Sequence, residues 1–100
     1  MCLSLVLLVE FFGPIAFSQT PSYLPKNGFV PDDRTAIAVA EAVLIGIYGE
    51  KQIEGERPFF AKLEREIWIV HGTIHAPNGG VAEIRISKKD GRVLHVSHGK

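Results

Sequence analysis

The apolar residues of this chain fall into two regions with different patterns. Residues 1–17, MCLSLVLLVEFFGPIAF, are almost continuously apolar, whereas apolar positions after residue 32 recur with regular spacing. The first regular stretch has apolar side chains at helical intervals, at Ile37, Ala40, Leu44 and Ile47. Asp32 and Asp33 suit a helix N-terminus, and Gly49 suits its end. The pattern therefore predicts one long helix between these residues.

Four later runs have the alternation or the branched and aromatic side chains typical of β-strands. They cover residues 59–64, 67–74, 81–87 and 93–98. Turn signals separate them at Arg65-Glu66, Asn78-Gly79-Gly80 and Asp90-Gly91. The predicted fold class is α+β, with one long helix packed on a curved antiparallel sheet of about four strands.

Residues 50–58, EKQIEGERP, form a charged connector between the helix and the first strand. One helical turn there would let Ile53 reach the core. The charges of the connector are expected to lie on a solvated face.

The first 31 residues are expected to lie outside this fold. Residues 1–18 resemble a secretory signal and are too short and too interrupted for a transmembrane helix, although a buried strand or helix is the alternative. Residues 19–31 contain three prolines and Asn27-Gly28, which predicts an extended linker that Tyr23, Leu24, Phe29 or Val30 pins to the body. The chain is thus expected to be exported to the periplasm, without stable membrane insertion after cleavage. It would be cytoplasmic if residues 1–18 are not a signal.

Charge and cysteine content narrow the function classes. The 100 residues contain 11 basic and 11 acidic side chains, a formal net charge of zero, and a single cysteine, Cys2. No polybasic stripe for nucleic acid is present, so no nucleic-acid partner is expected. One cysteine supports neither a disulfide framework nor a multi-cysteine zinc site.

The reactive side chains form no catalytic pattern. His71 and His75 lie about 13 Å apart on an extended chain, and His95 and His98 fall on opposite faces of a strand. His95 and Ser97 share a face, and Glu64, Glu66 and Glu83 could form an acid/base pair, but surface positions are the simpler interpretation for all of them. The sequence therefore predicts no catalytic residue, no metal site and no cofactor.

Two residues stand out on the predicted sheet. Trp68 either packs against the helix or lies exposed as an anchor for a partner protein. The carboxylate of Glu83 is either solvated, paired with a basic neighbour such as Arg85 or Arg92, or in contact with a partner's cation.

Several blocks of the body, read together, resemble the NTF2-fold immunity proteins of bacteria. They are Ala40-Glu41-Ala42-Val43-Leu44, Ile47-Tyr48-Gly49-Glu50, Trp68 followed by Gly72-Thr73, Gly79-Gly80-Val81-Ala82-Glu83, and Ile86-Ser87 followed by Asp90-Gly91. The resemblance implies an immunity domain over residues 32–100, a reduced form of the NTF2 cone in which a curved sheet wraps the helix. It also implies a non-catalytic protein, with no cofactor, that binds and neutralises a cognate toxin protein.

On this resemblance, the partner is expected to contact the outer face of the sheet and the loop at residues 75–80. The candidate partner-binding residues are Trp68, His75, Glu83 and Arg85. Two alternatives remain, a small-ligand-binding NTF2-like domain and a periplasmic inhibitory module of the PepSY type.

Overall fold

The computed structural model describes residues 23–99 and has the predicted α+β architecture. The signal-like segment at residues 1–18 and the start of the linker, residues 19–22, lie outside the described residues. The elements in chain order are helices α1 (Asp33–Tyr48) and α2 (Glu50–Glu54) and strands β1 (Phe60–Glu64), β2 (Ile67–His71), β3 (Ala82–Ser87) and β4 (Val93–His98).

Helix α1 begins and ends where the sequence predicts. Asp32 has an extended backbone, and its side chain accepts hydrogen bonds from the backbone N–H of Thr35 at 2.8 Å and from its hydroxyl at 2.7 Å. This N-cap satisfies a backbone donor that has no partner inside the helix. At the other end, Gly49 N–H donates to the carbonyl of Ile45 at 2.9 Å. The five residues of α2 follow directly, and they bury Ile53 as the sequence predicts.

The four strands form one antiparallel sheet in the order β1-β2-β3-β4. Arg65 and Glu66 form the predicted tight turn between β1 and β2 with positive φ angles of 49° and 67°. Strand β2 ends at His71, earlier than the predicted residue 74, and the chain then leaves the sheet as a loop to β3. Between β3 and β4 the register shifts, since His95 lies opposite Arg85 and Val93 opposite Ile86. Leu94 is therefore the extra residue of a β-bulge.

The hydrophobic core lies between α1 and the inner face of the sheet. Helix α1 contacts β1, β2 and β3. The core consists of Val30, Ala36, Ala40, Leu44, Ile53, Phe59, Trp68, Val70, Ala82, Ile84 and Ile86. Strand β3 alternates as predicted, with Ala82, Ile84 and Ile86 buried and the residues between them turned outward.

The end of the linker is attached to the turn between β3 and β4. Phe29 and Val30 donate their backbone N–H groups to the carbonyls of Lys89 and Lys88, each at 3.0 Å. Gly28 has φ +87°, and a Cβ there would collide with the Lys88 carbonyl oxygen, so only glycine allows this approach. Of the four residues expected to pin the linker, Val30 is buried, whereas Tyr23, Leu24 and Phe29 are exposed.

Candidate functional site

The face of the sheet opposite α1, which we call the outer face, carries the side chains that alternate with the core residues. It comprises Phe60, Lys62 and Glu64 on β1, Ile67, Ile69 and His71 on β2, Glu83, Arg85 and Ser87 on β3, and His95 and Ser97 on β4. Neither helix covers this face, and its side chains are exposed or partly exposed. Within residues 23–99 it is a side of the sheet that a partner can reach.

The middle of the outer face is apolar and is flanked by two ion pairs. Ile67 and Ile69 are partly exposed on β2, one of the two inner strands of the sheet. On β1, Lys62 Nζ lies 3.1 Å from Glu64 Oε2, and on β3, Arg85 Nε lies 3.0 Å from Glu83 Oε2. Both pairs are solvent-exposed, so they add little to stability. They give the apolar centre a charged rim.

A shallow depression of about 480 Å³ occupies the part of the outer face nearest the turn between β1 and β2. The register places Ile69 directly between Lys62 and Arg85. The lining residues are Glu64, Arg65, Ile67, Ile69 and Arg85. An apolar floor beside cationic side chains can receive an apolar group that carries a negative charge.

Apolar side chains are also exposed at the start of β1 and in the loop that follows β2. Phe60 is 54% exposed, and its ring centroid lies 6.1 Å from that of His71. Ile74, in the loop after β2, is 57% exposed. Large exposed side chains at the edge of a sheet and in the adjoining loop suit contact with another protein.

Three of the four predicted partner-binding residues lie on or beside the outer face. Glu83 and Arg85 pair with each other on β3, which is one of the alternatives considered for Glu83. His75 is exposed in the loop between β2 and β3, and its Nε2 donates to the carbonyl of Arg57 at 2.6 Å. This bond fixes the base of the loop against the connector that precedes β1. Their role in binding stays a prediction.

Trp68, the fourth predicted partner-binding residue, lies in the core, which is one of the two positions expected for it. The residue is 7% exposed, and its indole Nε1–H donates to the carbonyl of Val30 at 2.8 Å. The indole thus joins the sheet to the end of the linker, and its polar atom is satisfied inside the protein.

The expectation that the charges of residues 50–58 all lie on a solvated face is wrong for Glu56. Glu56 is 4% exposed, and its Oε1 accepts the backbone N–H of Ala82 at 2.7 Å. Its Oε2 accepts from Gln52 Nε2 at 2.7 Å and from His98 Nε2 at 2.8 Å. A buried carboxylate survives there because three donors from α2, β3 and β4 replace its water. No local pattern reveals this, since two of the three donors are distant in sequence.

The environment of Glu56 favours its charged form. Burial raises the pKa of this carboxyl, whereas the hydrogen bonds from Ala82, Gln52 and His98 lower it. The hydrogen bonds together outweigh burial, so the pKa lies below its ordinary value. His98 Nδ1 faces the carbonyl of Gly99 at 3.0 Å, and the Tyr48 ring lies 5.1 Å from the His98 ring. Both ring nitrogens of His98 therefore lie within hydrogen-bond distance of an oxygen atom. The Glu56–His98 pair therefore acts as a clamp between elements.

Two other features of the described part of the chain bear on the site. Among residues 23–99, no group of three or more His, Cys, Asp or Glu side chains is arranged to hold a metal ion. Over the same residues, no helix has both the length and the apolar character needed to cross a membrane.

Comparison with known proteins identifies relatives of this chain. Residues 35–100 match the family model described as NTF2 fold immunity protein. Two proteins of Escherichia coli (strain K12) are also similar. Uncharacterized protein YhhH is 38% identical over 86 residues, covering 84% of this chain and 67% of the relative. Uncharacterized protein YbbC is 36% identical over 80 residues, covering 78% of this chain and 65% of the relative.

The matched part of the chain therefore spans about two thirds of the length of each of these two relatives. No solved structure is similar enough to match.

Proposed function

The chain belongs to the family of NTF2 fold immunity proteins, and we propose that it binds and neutralises a cognate toxin protein. Membership of the family supports an immunity role in general. The proposal adds that neutralisation occurs by occlusion, in which the outer face covers the active surface of the toxin. It requires no cofactor and no reaction catalysed by this chain.

The main support for this proposal is the outer face, which neither α1 nor α2 covers and which has an apolar centre at Ile67 and Ile69. A stable protein interface has a desolvated apolar centre inside a polar rim. The ion pairs Lys62–Glu64 and Arg85–Glu83 supply such a rim. Helix α1 covers the inner side of β1, β2 and β3, so a partner reaches these three strands from the outer face.

The loop between β2 and β3 extends this surface. Ile74 and His75 are exposed there, and the bond from His75 to Arg57 holds the loop against the connector that precedes β1. A pre-ordered loop loses less entropy when it binds, which favours affinity. Within the proposal, His75, Glu83 and Arg85 are contact residues, and Trp68 supports the sheet from behind.

The proposal is tested with the protein encoded by the gene next to that of this chain. That neighbour is expressed in a bacterial host with and without the chain, and growth and the dissociation constant are measured. We expect the neighbour to arrest growth, the chain to restore it, and Ile69→Glu to abolish the rescue. Since Ile69 lies between Lys62 and Arg85, a glutamate there finds two cations and is compatible with the fold.

Ala42→Glu, on the exposed side of α1 away from the sheet, is the matched control. Ile69→Glu should weaken binding by about 30-fold or more, the effect of losing a central hot spot, whereas Ala42→Glu should change it little. Circular dichroism confirms that both variants fold. A wild-type chain that neither binds the neighbour nor restores growth would refute the proposal, as would full rescue by Ile69→Glu.

Export is a separate proposal, supported by the signal-like composition of residues 1–18. Fusion of residues 1–31 to alkaline phosphatase, which is active only in the periplasm, tests it. An active fusion supports neutralisation of the toxin in the periplasm. An inactive fusion that is stably expressed would refute export and indicate that the toxin is bound in the cytoplasm.

A further inference from the structure

We propose that the depression on the outer face receives a single apolar side chain of the partner, with a carboxylate next to it in the partner's structure. The depression is the one lined by Glu64, Arg65, Ile67, Ile69 and Arg85. This inference deepens the proposed function and rests on it for the identity of the partner as a toxin. It adds the chemistry of the group that is recognised.

The floor of the depression is apolar and is fixed by the sheet. Ile67 and Ile69 are two residues apart on β2, so both side chains point outward from this strand. Their neighbours on both sides are hydrogen-bonded strands, and the backs of these strands pack on the core. The floor is therefore a rigid surface, which binds an apolar anchor without a cost for ordering itself.

Two guanidinium groups stand beside this floor. Arg85 lies directly opposite Ile69 in the register, and its bond to Glu83 uses only Nε, so the terminal amino groups are left out of that bond. Arg65 is in the tight turn at the end of the depression, with a positive φ of 49°, and it belongs to the lining. A guanidinium both stacks on aromatic rings and binds a carboxylate through two parallel hydrogen bonds.

The charge of the lining favours an anionic group. Arg65 and Arg85 contribute two positive charges and Glu64 one negative charge, a net of +1 for the residues that line the depression. The carboxylate of Glu64 is already paired with Lys62 Nζ at 3.1 Å. A carboxylate brought by the partner thus meets two arginines and no unpaired acid in the lining.

A second cleft of the described residues is less suitable for an apolar anchor. It measures about 290 Å³ and lies between the linker and two turns, lined by Pro25, Lys26, Asn27, Gly28, Glu66, Lys88 and Lys89. Lys88 Nζ already donates to the carbonyl of Asn27 at 2.6 Å, and the lining has no large aliphatic or aromatic side chain. An apolar anchor therefore finds no large apolar side chain to pack against there.

A pair of small probes tests the inference on the full chain without any toxin. N-Acetyltryptophan carries an aromatic side chain next to a carboxylate, and N-acetyltryptophanamide is the same molecule without the charge. Each is titrated into ¹⁵N-labelled protein and followed by amide chemical shifts. We expect N-acetyltryptophan to shift the amides of Ile67, Ile69 and Arg85, with an affinity at least threefold higher than that of the amide.

Arg65→Gln and Arg85→Gln should each reduce this difference, and the double variant should abolish it. Arg92→Gln, a change of an exposed arginine in the turn between β3 and β4, is the matched control and should retain it. The spectra themselves report whether each variant is folded. Equal affinities for the acid and the amide, or shifts confined to residues outside the depression, would overturn the inference.

The probe titrations and the toxin-binding assay test the two proposals separately. Loss of toxin binding in Ile69→Glu together with equal probe affinities would refute the depression as a carboxylate-linked site and leave the proposed function intact. Selective probe binding by a chain that does not bind the neighbouring toxin would refute the proposed function, and the depression would remain a site for an apolar acid.

Discussion

His98 Nε2 lies 2.8 Å from Oε2 of Glu56, which joins the end of the last strand to the segment after α2. The same carboxylate holds the first residue of β3 through Ala82 N–H and the side chain of Gln52 on α2. The backbone carbonyl of Glu56 accepts from Thr73 N–H at 2.7 Å, just after β2. One residue therefore connects α2, β3 and β4 with the start of the β2–β3 loop.

Replacing Glu56 by alanine should lower the free energy of unfolding by about 3 kcal/mol, because buried donors lose their acceptor. For a domain of this size that is a fall in melting temperature of about 12 to 24 °C. Thermal unfolding followed by circular dichroism measures it. Glu54→Ala, a change of an exposed glutamate at the end of α2, is the control and should change stability little. Similar stability losses in both variants would show that Glu56 is not a special connection.

The charge of Glu56 should make the fold acid-sensitive. Hydrogen bonds lower the pKa of the folded carboxyl below its ordinary value of 4.5 despite the opposing effect of burial. The unfolded chain therefore takes up a proton at a higher pH than the folded chain, and the stabilisation by Glu56 is lost as the pH falls through the folded pKa. We expect the stability advantage of the wild type over Glu56→Gln to be largest above about pH 5 and to shrink towards about pH 3. Urea unfolding at several pH values measures this difference, and a pH-independent difference would contradict the assignment.

Local sequence signals were sufficient for the elements of this fold. Asp32 and Gly49 mark the ends of α1 because capping depends on a few adjacent residues. The alternation of β3 gave its buried face for the same reason. The predicted end of β2 was wrong by three residues, because Thr73 and Ile74 are β-branched and typical of strands. In the structure, Thr73 N–H donates to the carbonyl of Glu56 instead of a strand partner.

Contacts between residues distant in the chain could not be predicted from these local patterns. Glu56 belongs to the same charged run as the exposed Glu50 and Glu54, and its burial depends on the packing of the distant strands β3 and β4. The depression on the outer face likewise depends on the register that puts Arg85 opposite Ile69. Alternation predicted that Arg85 faces outward, but the neighbour across the strands is a property of the whole sheet.

Trp68→Phe should release the linker from the sheet. The change keeps an aromatic ring in the core and removes the hydrogen bond to the Val30 carbonyl, with a cost of about 1 kcal/mol. Hydrogen exchange at the amides of Phe29 and Val30 should then become faster than at the rest of the fold. Ile86→Val, opposite Trp68 in the register, has a similar cost of about 1 kcal/mol and serves as the control. If Ile86→Val accelerates exchange at Phe29 and Val30 as much, the linker is held by the core as a whole and not by the indole.

Glu66→Gly should stabilise the protein. Glu66 has φ +67° in the turn between β1 and β2, a conformation that glycine adopts more easily than any residue with a Cβ. Its backbone carbonyl accepts from Lys88 N–H at 3.0 Å, and this bond does not need the glutamate side chain. We expect a gain of about 0.5 to 1 kcal/mol in the free energy of unfolding.

A glycine placed at another position serves as the control, because it shows whether the gain in stability comes from relieving the turn or from glycine itself. Lys62→Gly, on β1 and exposed, has no positive φ to relieve and should destabilise the sheet by about 1 kcal/mol. Chemical denaturation of both variants beside the wild type measures the difference in sign. Since Arg65 is untouched, Glu66→Gly should also keep the preference for N-acetyltryptophan over its amide. A loss of stability in Glu66→Gly would mean that the glutamate side chain contributes more to the turn than its backbone strain costs.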